Sequence, residues 1–205
     1  MDKKGIFCLE GHWNDDLKSK STILPILDLL NKQEKVQYIY NQCATKDEFE
    51  FFIKKWKLKK YQAKYPILYL AFHGEKELIH FGFKKSYKLN ELAVILENSC
   101  KGSVIFFASC LTMGTRKNII NNFILKTQTL AVLGYKVEVD WMKATAFELL
   151  VLASLMGDKF DTQGINKMKS TIMTEYGKLH KEVDFDMFIN EYLHFPRKRK
   201  KVIVG

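Results

Sequence analysis

Short apolar runs alternate with stretches of helical period along the chain. Gly5-Ile6-Phe7-Cys8-Leu9 reads as a first strand and Val36 to Tyr40 as a second. Pro66 to Phe72 and Ser103 to Ala108 are continuous apolar runs. Neither alternates, as expected of strands buried on both faces of a parallel sheet. Leu130 to Leu133 predicts a shorter strand, and Leu78 to Phe83 a small hairpin arm.

Helical periods fill the gaps. Ser21 to Asn31 predicts a helix, with Ser21 as its cap and Pro25 tolerable near the first turn. Thr45 and Glu48 have capping-box spacing, and behind them Phe49, Phe52, Ile53 and Trp56 recur on one face. Leu89, Leu92, Ala93 and Leu96 mark another helix, and Ile119, Ile120, Phe123 and Ile124 a further one. Ala144 to Met156 predicts a largely buried helix, begun by Asp140 as its cap. After Gly157 the chain reads helical and more polar to about Leu193. Five alternations of strand and helix predict an α/β fold with a mostly parallel, doubly wound sheet and helices on both faces. Residues 1–195 are expected to form one domain, and 196–205 a basic tail or edge strand.

Composition narrows the class. The chain has 205 residues, 47% of them hydrophobic and 27% charged, which is ordinary globular composition. With Gly 11 and Pro 3, collagen-like and low-complexity readings are excluded. The cysteines at 8, 43, 100 and 110 form no CxxC pair, which argues against a disulfide scaffold or a zinc ribbon. The first apolar run is too short for a signal peptide, and no stretch approaches a membrane span. The expected location is the cytoplasm, with free thiols. The net charge is +10, and half of it lies in Arg197-Lys198-Arg199-Lys200-Lys201. No aromatic-interleaved motif accompanies that run, so nucleic acid is not an expected partner. Glu10, His12, Asp15 and Asp16 cluster after the first strand, but their spacing matches no ligand pattern. Neither a metal nor a cofactor is expected.

In doubly wound sheets, functional groups gather beyond the carboxyl ends of the strands. The Pro66–Phe72 run ends in His73-Gly74-Glu75, and the Ser103–Ala108 run in Ser109-Cys110-Leu111. If the two strands are neighbours, an imidazole and a thiol share one rim. The imidazole of His73 could then take the thiol proton of Cys110 and return it to a leaving amine. Gly74 lets the backbone approach a substrate, and its N–H with that of Cys110 would make an oxyanion hole. Cys8, Cys43 and Cys100 read as small core hydrophobes.

The blocks Tyr69-Leu70-Ala71-Phe72-His73-Gly74 and Phe107-Ala108-Ser109-Cys110-Leu111-Thr112-Met113-Gly114 resemble the His-Gly and Ser-Ala-Cys-x-Thr-Gly blocks of CHAT domains. CHAT domains belong to the caspase-like cysteine peptidase clan, with caspases, separases, gingipains and legumains. The segments Leu130 to Tyr135, Val139-Asp140 and Ala144 to Leu150 resemble the CHAT pattern too, so the likeness covers residues 66–157. The cysteine block departs by reading Ala-Ser-Cys. The resemblance implies a caspase-like fold and peptide-bond hydrolysis through a thioester, without a metal. His73 would be the general acid and base and Cys110 the nucleophile, with the N–H of Gly74 in the oxyanion hole. A protein or peptide is the implied substrate, and a partner protein that activates or regulates the chain is implied as well.

Charge at the substrate pocket would decide which side chain precedes the cut. Glu138 and Asp140 follow the Leu130–Leu133 run, and a carboxylate there would favour a basic P1 residue; as a cap, Asp140 would be occupied. Glu75 could line the leaving-group side. Lys136 and Lys143 would instead favour an acidic P1 residue. Two other readings stand beside the peptidase: a non-catalytic caspase-fold binding or signalling module, and a nucleic-acid binder driven by basic surface.

Overall fold

The computed structural model describes residues 4–14, 16, 18–82, 85–157 and 159–192. In chain order the elements are β1 (Ile6–Glu10), α1 (Leu24–Glu34), β2 (Tyr38–Gln42), α2 (Lys46–Trp56), α3 (Lys59–Gln62), β3 (Ile67–Ala71), β4 (His73–Glu75), β5 (Leu78–Gly82), β6 (Lys85–Lys88) and α4 (Leu89–Ile95). They continue with β7 (Val104–Ala108), α5 (Lys117–Thr127), β8 (Ala131–Tyr135), α6 (Trp141–Leu155), α7 (Thr162–Glu175), α8 (Gly177–Glu182) and β9 (Phe185–Ile189).

The main sheet has the strand order β2-β1-β3-β7-β8-β9. Its first five strands are parallel, and β9 closes the edge antiparallel to β8. Both faces are covered, which is why the strands read as unbroken apolar runs. Alternate side chains feed two cores. Ile6, Cys8, Tyr69, Ala71, Phe106 and Ala108 pack under α1, α6 and α7. Phe7, Leu9, Leu68, Leu70, Ile105 and Phe107 pack under α2, α4 and α5. A second, antiparallel sheet, β4-β5-β6, follows directly on β3.

The Thr45–Glu48 capping box forms as expected, and Asp140 caps α6 by accepting the N–H of Lys143 at 3.0 Å. Helix α1 departs from the expectation. It begins at Leu24, and Ser21 is not its cap. Its first turn is satisfied from a distance: Ile23 N–H donates to the Glu10 carboxylate at 2.8 Å, and Leu24 N–H to the Thr22 hydroxyl at 3.1 Å. The helical reading after Gly157 holds for α7 and α8 but needs correction beyond them, since Phe185–Ile189 is a strand. The expected basic tail or edge strand at 196–205 lies outside the described residues.

Candidate active site

Strands β3 and β7 are neighbours, paired in parallel with Ala71 opposite Ala108. His73 and Cys110 each stand two residues beyond that matched pair, so both emerge at the same rim. Ala71 and Ala108 both face the α1/α6 core, and this parity directs the site to that side of the sheet. Phe72 N–H donates to the Ala108 carbonyl at 3.3 Å, carrying the pairing one step further. Gly74 then packs against the cysteine loop. A Cβ there would lie 2.3 Å from the Cys110 carbonyl oxygen and 2.5 Å from Thr112 Oγ1, so only glycine fits.

His73 is exposed, and its Nε2 lies 2.9 Å from the Trp13 carbonyl oxygen. A carbonyl only accepts, so this bond places the proton on Nε2 and leaves Nδ1 as the acceptor. The Trp13 indole stands edge-on to the imidazole at 5.1 Å between centroids and to Trp141 at 4.6 Å. Trp13 is itself fixed by Glu10. That fully buried carboxylate accepts from the Trp13 indole, the Tyr40 hydroxyl, Thr22 Oγ1 at 2.7 Å and the Ile23 N–H. Glu10 is therefore saturated by protein donors. Among the described residues no group of three or more metal-ligating side chains comes together, and Asp15 lies outside them.

The four thiols divide sharply. Cys8, Cys43 and Cys100 are buried and Cys110 is half-buried. Burial pushes the thiol of Cys8 well up, and those of Cys43 and Cys100 up to about 12. The core role expected of those three agrees with this burial.

A cavity of about 250 Å³ opens beside the thiol, lined by His73 and Cys110 together with Trp13, Trp141, Val139, Tyr135 and Glu148. Glu148, on α6, is its buried carboxylate. It accepts hydrogen bonds from Tyr69 and, at 3.0 Å, from Tyr135. Burial pushes its carboxyl up to about 7, although both tyrosine bonds act to lower it. Sequence reading missed Glu148; the available signal was a single acid inside an otherwise apolar helix.

The other candidate residues are dispersed. Glu138 is exposed, and Asp140 is engaged as the α6 cap. Glu75 is exposed, 3.6 Å from Nε2 of His80, which sits opposite His73 across β4 and β5. None of the three carboxylates lines the cavity. Lys136 pairs with Asp184 at 3.0 Å and Asp186 at 3.6 Å, and Lys143 with Glu182 at 3.3 Å. Both lysines considered for an acidic P1 residue are thus neutralised.

The strand order and the helices on both faces define a caspase-like α/β fold. Among solved structures, the chain resembles the crystal structure of caspase-1 from Spodoptera frugiperda, with a TM-score of 0.52 and 13% identity, covering 91% of this chain and 86% of that one. At that identity the likeness concerns the fold alone. By sequence, the chain belongs to a family of unknown function, DUF6642, whose model matches residues 3–189. No CHAT family model accounts for the chain, so the CHAT likeness rests on the motif blocks. No curated protein matches it. Among the described residues, no helix is long and apolar enough to cross a membrane.

Proposed function

We propose that the chain is a CHAT-type, caspase-like cysteine endopeptidase with His73 and Cys110 as its dyad. The observation that carries this reading is the register of β3 on β7, which brings an imidazole and the half-buried thiol to one cavity. With Nε2–H donated to the Trp13 carbonyl, Nδ1 receives the Cys110 proton. The thiolate attacks the scissile carbonyl. The oxyanion is met by the N–H of Gly74 and that of Cys110, which has no hydrogen-bond partner among the described residues. The imidazolium gives its proton to the leaving amine. Water, deprotonated by His73, then cleaves the thioester.

The cavity receives the P1 side chain, and Glu148 favours a basic one. Its apolar walls would hold the aliphatic stem of a lysine or arginine. Glu138 and Glu75 act on the outer approach, Glu75 on the leaving-group side, and Asp140 shapes the rim through the α6 cap. The test is a peptide library scanning P1, with Cys110→Ala and His73→Ala as controls. Cleavage after basic residues that both substitutions abolish is the expected result. Equal cleavage by the wild type and both variants refutes the dyad. Absence of cleavage in all three favours a non-catalytic caspase-fold module.

A further inference from the structure

A second cleft lies away from the thiol, between the β4–β6 sheet and helices α4 and α5, and has a volume of about 610 Å³. Its floor is apolar, made by Leu78, Leu89, Ala93, Ile119 and Phe123. Its rim carries Lys76, Lys88 and Lys126, all exposed, and none forms an ion pair among the described residues. Glu91 is within electrostatic reach of Lys88 but is bound to Lys46 at 3.2 Å. The one carboxylate in the lining, Glu77, is turned to the Thr115 hydroxyl. The cleft is therefore an apolar hollow in a ring of uncommitted positive charge.

Two side-chain amides, Asn90 and Asn122, complete the lining. An amide both donates and accepts, which suits the alternating groups of a peptide backbone better than a hydrocarbon chain. We infer that this cleft docks an acidic peptide segment of a partner protein, a bulky apolar side chain seated on the floor and flanking Asp or Glu residues on the three lysines. The site adjoins the thiol loop through hydrogen bonds. Thr112 Oγ1 donates to the Leu78 carbonyl at 3.0 Å, and Thr115 Oγ1 to Glu77. Cys110 precedes Thr112 by two residues, so a segment pressing on Glu77-Leu78 acts on the loop that carries the nucleophile. Docking does not depend on the peptidase reading, because thiol reactivity can be followed without turnover.

The experiment uses the full chain and two fluorescent peptides, one with a central Phe and Leu flanked by Asp and Glu, the other with Lys at every acidic position. Anisotropy should detect binding of the acidic peptide alone, weakening as salt rises. Lys88→Glu with Lys126→Glu should weaken it at least about tenfold, since like charges then face each other. Asn122→Trp, which fills the cleft, should do the same. The charge-matched control Lys59→Glu with Lys60→Glu should leave binding unchanged. Saturating peptide should change the rate at which iodoacetamide modifies Cys110. Equal binding of both peptides, or equal loss in the control, overturns the proposal. So does binding of anionic vesicles but not peptide, or self-association through this face. Tight binding with an unchanged alkylation rate overturns the coupling to the thiol loop.

Discussion

Glu148 offers the sharpest quantitative test. Its carboxyl is pushed from an ordinary value of 4.5 up to about 7 by burial between β3, β8 and α6. Between these two values the folded chain holds a proton that the unfolded chain has released. Stability therefore falls as the pH rises through this window, being fully present below about 4.5 and lost above about 7. At about 1.4 kcal/mol for each unit, the full excursion is about 3 kcal/mol. Glu148→Gln keeps the shape and removes the titration. Urea unfolding of both proteins from pH 5 to 8 should show the wild type losing stability relative to the variant by about 2 kcal/mol. His180, whose imidazole burial holds below its usual value, acts with the opposite sign, gaining stability as the pH rises. It is present in both chains and cancels in the difference. Parallel pH profiles would refute the argument, because they would mean that Glu148 titrates alike folded and unfolded.

Iodoacetamide should modify Cys110 well before the other cysteines, checked by peptide mass mapping; labelling of Cys8 at a similar rate in the folded chain would contradict the burial contrast. Gly74→Ala should destabilise the chain by about 1–3 kcal/mol in urea unfolding and slow Cys110 alkylation or cleavage, because the added methyl meets the Cys110 carbonyl. Tyr40→Phe leaves Glu10 one donor short and should cost about 1–3 kcal/mol, with a shift of the Trp13 indole and His73 ring signals in NMR spectra. An unchanged His73 signal would disconnect Glu10 from His73.

The strand that carries the histidine and the one that carries the cysteine were both legible, because a strand buried on two faces leaves an unbroken apolar run. That these two pair with each other is left open by the sequence, because a helical crossover does not always join neighbours: β2 and β3 are so connected, yet β1 lies between them. Asp140 and Thr45 were legible because capping is local. What the sequence hid is long-range. Ser21 looks like a cap, but Glu10, 13 residues away, takes the Ile23 N–H. The Trp13 carbonyl lies 60 residues from His73, and no side-chain pattern records where a backbone oxygen will point. Strand β9 did leave a trace: Phe185-Asp186-Met187-Phe188-Ile189 is a short apolar run broken only by Asp186, following a stretch that is helical.

Two buried carboxylates sit on the same face of the sheet, and their hydrogen-bond inventories separate their roles. A carboxylate offers about four acceptor sites. Glu10 receives four donors, two on each oxygen, from Trp13, Ile23, Thr22 and Tyr40. With every site occupied it has nothing to offer a ligand, and its chemistry is spent on holding Trp13 in place behind His73. Glu148 receives one tyrosine hydroxyl on each oxygen and lines the cavity. Acceptor capacity remains on both oxygens, and burial has removed the water that would otherwise fill it. An entering cation would supply the missing donors and draw the carboxyl back toward its ionised form. The proposed selection at P1 and the retained proton would thus be two consequences of the same shortfall, and Glu148→Gln should remove both together.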